Sequence, residues 1–123
     1  MTDLYTHVET FLEAYTACAL WSSVDDHCEP MDNGEHELSP ETLARFKADC
    51  AAFTEENSDT WESAGWDDAQ AGHDFWLTRN HHGAGFWDRD TGNDGTREKL
   101  TKAAEAAGEC ELYIGDDGLI YAM

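Results

Sequence analysis

The residues best equipped for chemistry are concentrated in one short block, residues 71–90, with the sequence AGHDFWLTRNHHGAGFWDRD. His73 and His82 supply imidazoles, and Asp74 and Asp88 supply carboxylates, the groups that act as general bases or as ligands of Zn²⁺. The block contains no HExxH motif, no paired His-x-His and no nucleophile elbow. Its spacing therefore predicts neither a catalytic site nor a metal site, and we expect no cofactor.

The same block favours a β-hairpin. Its two halves, 73–79 and 84–89, are rich in strand-forming Phe, Trp, Leu and Thr, and the linker 80–83 suits a tight turn. A two-residue turn places Asp74 opposite Arg89, whereas a bulged turn slips the pairing by one residue. The residues of this predicted motif hairpin are His73, Asp74, Trp76, Arg79, Asn80, His82, Trp87, Asp88 and Arg89. The hairpin is either structural or a contact surface for a partner, for which Trp and Arg are favoured.

Amphipathic helices are predicted on both sides of this hairpin, because apolar residues recur there at helical spacing. Ser39 is a suitable N-cap, Pro40 suits the first helical position, and Gly65 is a natural stop. The predicted elements are a helix over 3–22, an acidic loop over 23–38, a helix from 40 to about 63, the motif hairpin, a helix over 95–107, and a second hairpin with strands 110–114 and 119–123.

This order, ααββαββ, predicts an α+β fold in which two hairpins form a four-stranded antiparallel sheet packed against helices. The 123 residues fit a single domain, 1–123, with a helical acidic part, 1–68, and a hairpin-helix-hairpin part, 69–123. No stretch approaches the ~20 apolar residues of a membrane span, and the acidic start does not resemble a signal peptide. Four scattered cysteines then suit reduced thiols, so we expect a cytoplasmic protein with no membrane contact.

The strongest compositional feature is negative charge. The chain has 27 acidic residues against seven Lys and Arg, a formal net charge of −20. Residues 1–78 hold 18 of the acids and only two bases, Arg45 and Lys47, so the excess belongs mainly to the first part of the chain. Direct nucleic-acid binding is disfavoured, because a phosphate-binding surface needs a basic stripe. A coating typical of salt adaptation would be expected to spread more evenly.

Dense carboxylates can instead imitate DNA. Acids three or four residues apart on a helix stand ~5–6 Å from one another, and a field of that kind speeds association with a cationic partner. The predicted acidic face consists of Asp25, Asp26, Glu29, Asp32, Glu35, Glu37, Glu55, Glu56, Asp59, Glu62, Asp67 and Asp68. Two alternatives stay open: an acidic accessory protein that binds a partner without mimicry, and a His/Asp metal-dependent enzyme built on the motif hairpin.

The blocks GHDFWLTRNHHGAGFWDRD and GECELYIGDDGLIYAM, together with SPETLARFKADCAAF, resemble an uncharacterised family of small acidic proteins of tailed bacteriophages and prophages. The similarity covers most of residues 39–123 and carries no catalytic roles. The family motif has glycine at the position of His81, which weakens any prediction that the loop tip needs a fixed backbone geometry. The resemblance implies expression in a host cytoplasm and a host protein as target. We therefore expect inhibition of a DNA-binding or host-defence protein.

Overall fold

The computed structural model of the chain describes residues 4–24, 28–34, 36–81, 85–89 and 92–122. These residues form four α-helices and one two-stranded antiparallel sheet. The elements are α1 (Leu4–Ser22), α2 (Pro40–Ala64), α3 (Asp68–Arg79), α4 (Asp94–Ala106), β1 (Leu112–Ile114) and β2 (Ile120–Ala122), with short 3₁₀ turns at Met31–Asn33 and Phe86–Asp88. The fold of the described residues is therefore mostly helical.

The predicted α+β fold of order ααββαββ with a four-stranded sheet is wrong, because the motif hairpin does not form. Residues 73–79 lie inside α3, and the 3₁₀ turn Phe86–Asp88 takes up half of the predicted second strand, 84–89. Asp67 fixes the start of α3, since its Oδ1 accepts a hydrogen bond from the Gln70 backbone N–H at 2.7 Å. α3 is buried on most sides and buries polar Asp74, Thr78 and Arg79 together with its aromatic residues, so its sequence lacks the usual amphipathic period.

The other predicted helices are confirmed. α1 and α4 have nearly the predicted bounds, and α2 begins at Pro40 after the N-cap Ser39, whose Oγ accepts a hydrogen bond from Thr42 N at 3.1 Å. Gly65 ends α2 at a φ of 103°, in the left-handed region that glycine adopts without steric cost. Local capping chemistry therefore sets both ends of the longest helix.

The second predicted hairpin is also confirmed. β1 pairs with β2 in the register Leu112 with Ala122, Tyr113 with Tyr121, and Ile114 with Ile120. The hairpin docks on the start of α2, where the Ser39 backbone N–H donates to the Ile120 carbonyl at 2.9 Å. Within the predicted acidic loop, the described residues include the 3₁₀ turn, and Met31 is buried there.

α3 packs most extensively against α1, and a glycine makes their close approach possible. A Cβ added at Gly72 would lie 2.2 Å from the carbonyl oxygen of Phe11, so no other residue fits without moving the two helices apart. Around this contact the core is aromatic, and the rings of Phe53 and Phe75 stack with centroids 4.1 Å apart. None of the helices, within the described residues, carries a segment long and apolar enough to span a bilayer.

Candidate functional site

Asp74 lies at the centre of the motif block and is completely buried. Its oxygens accept hydrogen bonds from Trp66 Nε1 at 3.1 Å and from Gln70 Nε2 at 2.8 Å. Arg89 donates to both oxygens, with Nη2 at 2.8 Å from Oδ1, and His73 Nδ1 lies 3.3 Å from the same atom. The contact between Asp74 and Arg89, which one of the two possible hairpin registers would give, is thus present without the hairpin. A carboxylate held by a forked guanidinium and two further donors is a structural anchor, not an available base.

Arg79 is the second buried charge of the block, with 1% of its surface exposed. Its Nη1 donates to the Tyr15 hydroxyl at 3.0 Å and to Asp49 Oδ2 at 2.9 Å. Nη2 and Nε donate to the carbonyls of Ala107 and Gly108 at 3.0 and 2.7 Å, where the C-terminal end of α4 favours a cation. Arg79 therefore joins α3 to α1, α2 and the end of α4.

Trp76 and Asn80 also serve the fold. Trp76 is buried, and its Nε1 donates to Ser22 Oγ at the end of α1 at 2.8 Å. The Asn80 side chain donates to the Trp76 carbonyl at 3.0 Å and accepts from the Cys110 backbone N–H at 2.7 Å. The Trp76 bond joins α3 to the end of α1, and the bond between Asn80 and Cys110 joins the end of α3 to the segment that follows α4.

The far end of the motif block faces solvent. Trp87 is 57% exposed, Asp88 is exposed, and His82 lies outside the described residues. His81 adopts a φ of 59°, in the left-handed region that favours glycine. His81, just after the end of α3, therefore holds a backbone conformation that few residues other than glycine adopt.

A groove of about 690 Å³ runs between α1 and α3, and its lining includes Cys18, Trp21 and His73. Burial, and then the nearby Asp74 carboxylate, raise the pKa of the Cys18 thiol to about 12. The thiolate is the nucleophilic form of cysteine, so Cys18 is inert near neutral pH. Cys18 is thus a packing residue of the groove wall and not an activated nucleophile.

Four acids of the predicted acidic face lie on the second half of α2. Glu55, Glu56, Asp59 and Glu62 are all exposed. The same segment turns its other side chains into the core, and the buried ones are Phe53, Thr54, Asn57 and Trp61. The outer side of this half-helix is therefore negative and rigidly held.

The remaining acids of the predicted face divide into three groups. Asp67 is exposed but its carboxylate caps α3, and Asp68 is only partly exposed, because it turns toward His7. The described loop acids Glu29, Asp32 and Glu37 are exposed. Asp25, Asp26 and Glu35 lie outside the described residues.

One set of functional groups was missed from the sequence, namely His7, Glu62 and Asp68. His7 Nδ1 lies 2.5 Å from Asp68 Oδ2 and 3.0 Å from Glu62 Oε1. A nitrogen and two carboxylate oxygens that converge in this way can hold a divalent metal ion. No local spacing indicates the group, since His7 is 61 residues from Asp68.

Comparison of the chain with protein-family models, with curated proteins and with solved structures found no match. Functional inference therefore depends on the geometry and charge of the chain itself.

Proposed function

We propose that this protein is a binding protein, and that the outer face of the second half of α2 imitates DNA toward a nucleic-acid-binding protein of a host cytoplasm. The observation that supports the proposal is unbalanced charge. Glu55, Glu56 and Asp59 are exposed, and none of the three forms an ion pair with another described residue. Three adjacent carboxylates on one rigid helix are thus left for a partner.

Five of the seven Lys and Arg residues form ion pairs, and none of these pairs involves Glu55, Glu56 or Asp59. Acids of α4 that are exposed have basic neighbours, as in the pairs of Lys102 with Glu98 and Arg97 with Asp94. The ion-paired cations are Arg45, Arg79, Arg89, Arg97 and Lys102. Ion pairs therefore compensate Asp94 and Glu98 of α4. On the second half of α2, Lys99 reaches the Thr60 hydroxyl at 3.1 Å and His7 faces Glu62, but no ion pair forms with Glu55, Glu56 or Asp59 among the described residues.

The arrangement also has an electrostatic cost within the protein. The C-terminal end of a helix carries a partial negative charge and favours cations, yet the last turn of α2 contains no base and does contain Glu62. Each unfavourable charge at a helix end costs about 0.3–1 kcal/mol. Glu62 is the one acid of the four that lies in this last turn, so the cost is that of a single charge.

The axial spacing of these charges is close to that of DNA. Glu55 and Glu62 are seven residues apart, so at ~1.5 Å per residue the four carboxylates span about 10 Å in three intervals. The successive axial intervals are about 1.5, 4.5 and 4.5 Å, and their mean of roughly 3.5 Å compares with ~3.4 Å per charge along one strand of B-DNA. Such a face would enter a cationic DNA-binding groove and block it. Duplex DNA itself is repelled, so no direct nucleic-acid binding is proposed.

A second candidate is an accessory protein that binds its partner without mimicry. The observation that favours it is the exposure of two large aromatic side chains, Trp21 at 63% and Trp87 at 57%. Exposed Trp is enriched in the energetic centres of protein interfaces. Replacing Trp87 by Ala abolishes partner binding under this alternative and leaves it intact under mimicry.

The two functions are separated by affinity capture from a bacterial lysate, with this protein immobilised. Mimicry predicts that the captured protein binds DNA, that duplex DNA competes for it, and that its capture falls steeply between about 50 and 200 mM salt. Capture that responds neither to salt nor to duplex DNA contradicts mimicry.

A further inference from the structure

Three helices bring one potential ligand each to the same point. His7 lies near the start of α1, Glu62 in the last turn of α2, and Asp68 at the start of α3. The His7 Nδ1, Glu62 Oε1 and Asp68 Oδ2 atoms all lie within 4.8 Å of one another. The cluster shares Glu62 with the acidic face of α2 but contains none of Glu55, Glu56 and Asp59, so the two proposals can fail separately.

The geometry differs from that of an ordinary surface ion pair. A ring nitrogen carries at most one proton, yet two carboxylate oxygens from different helices face the same Nδ1 atom. His81 offers a direct comparison, because its Nδ1 faces Glu105 at 3.7 Å and its Nε2 faces Glu109 at 3.6 Å. The His81 contacts diverge, whereas the His7 contacts converge on one centre.

A buried group outside the cluster orients one of its ligands. Trp61 is fully buried, and its Nε1 donates to Asp68 Oδ1 at 3.1 Å, which leaves Oδ2 turned toward His7. Carboxylates that bind metals are commonly fixed by such outer hydrogen bonds. The side chains of His7, Glu62 and Asp68 are 18%, 39% and 16% exposed, so an ion can reach them from solvent.

We propose that His7, Glu62 and Asp68 form a binding site for a divalent transition-metal ion, with Zn²⁺ as the best fit. One imidazole nitrogen and two carboxylate oxygens suit Zn²⁺, whereas Mg²⁺ and Ca²⁺ prefer oxygen alone. Three protein ligands leave the fourth tetrahedral position for water. Tetrahedral ligands at 2.0–2.1 Å from Zn²⁺ lie about 3.3 Å apart. The two oxygens therefore need to move away from Nδ1 by less than ~1 Å.

Calorimetric titration with ZnCl₂ tests the site. The protein carries a Cys28→Ser change, because the exposed Cys28 thiol is a competing ligand. We expect one Zn²⁺ per chain, at least tenfold weaker binding of Mg²⁺, and a loss of at least tenfold in Zn²⁺ affinity on His7→Ala or Glu62→Gln. Matched controls are His81→Asn, which removes a histidine near two carboxylates, and Glu55→Gln, which removes an exposed acid of the same helix. Both controls should bind Zn²⁺ as the parent does.

Nitrogen NMR of the His7 ring gives a second readout, because Zn²⁺ on Nδ1 shifts that nitrogen and leaves the proton on Nε2. Should His7→Ala fail to fold, Glu62→Gln decides, since it replaces an exposed carboxylate and keeps the bond between Trp61 and Asp68. The proposal is overturned by the lack of stoichiometric binding, by affinity that survives both cluster substitutions, or by equal losses in the two controls. Equal losses would indicate diffuse attraction to the acidic surface.

Discussion

The buried contact between Asp74 and Arg89 leads to the sharpest prediction on stability. Asp74→Asn keeps the size of the side chain but removes the charge, and it places an amide group where both nitrogens of Arg89 now donate. Breaking a buried ion pair by changing one partner costs ~3–5 kcal/mol. Because the Arg89 side chain is 29% exposed, water compensates part of this loss. We therefore predict a decrease of about 3 kcal/mol in the free energy of unfolding.

Urea unfolding followed by far-UV circular dichroism measures this change. Asp59→Asn is the matched control, because it makes the same chemical change at an exposed position, and it should alter the free energy by less than about 0.5 kcal/mol. A loss below about 1 kcal/mol in Asp74→Asn would refute the view that Asp74 is a structural anchor.

Three further predictions follow from packing and burial. Gly72→Ala should destabilise the protein by about 3 kcal/mol or more, because its methyl group would meet the Phe11 carbonyl, and a wild-type unfolding midpoint would contradict the close packing of α1 and α3. Trp76→Ala should cost ~3–5 kcal/mol in a urea titration, whereas Trp87→Ala should leave the free energy nearly unchanged; similar values for both would contradict their different burial. Burial raises the pKa of the Cys18 thiol to about 12, so its contribution to stability is complete below about pH 9 and is lost as the pH rises toward 12. The urea concentration at the unfolding midpoint should therefore fall as the pH rises through this range, and it should fall less in Cys18→Ser. Equal slopes of the midpoint against pH in the two proteins would show that Cys18 does not contribute.

The sequence predicts those elements whose ends are set by local capping hydrogen bonds or by turn residues. Ser39, Pro40 and Gly65 fix the start and end of α2 through local hydrogen bonds and backbone preferences, so the prediction needs no knowledge of tertiary contacts. The same holds for the β1–β2 hairpin, whose short strands are separated by a glycine-rich turn.

α3 could not be predicted in this way. Its central residues Phe75, Trp76 and Leu77 are all buried, so the sequence shows no helical period there. Aromatic residues are also enriched in strands, and this preference favours the wrong element. Asp67 is a suitable N-cap for α3, but it lies within a run of acidic residues. Its capping role therefore does not stand out in the sequence. Tertiary packing therefore overrides local propensity in this segment.

The residues of the candidate sites also divide into those set by local sequence and those set by tertiary packing. The exposed acids of α2 could be predicted, since their helix and its inward side are set by local spacing. The His7 cluster could not, because its members come from three helices and meet only when α1, α2 and α3 have packed. One of the two hairpin registers open from the sequence places Asp74 opposite Arg89, but the fold forms this contact without a hairpin.

The central claim is that the acids of the second half of α2 bind a cationic partner. Its most direct test is the dissociation constant of the purified captured partner for two variants of equal net charge, measured over a salt series. Glu55→Gln/Glu56→Gln/Asp59→Asn removes the proposed contacts, whereas Glu105→Gln/Glu109→Gln/Glu111→Gln removes three exposed acids elsewhere. The first should weaken binding at least tenfold and flatten its salt dependence, while the second should bind nearly as the wild type does. Equal effects of the two variants, or no effect of the first, would contradict the claim.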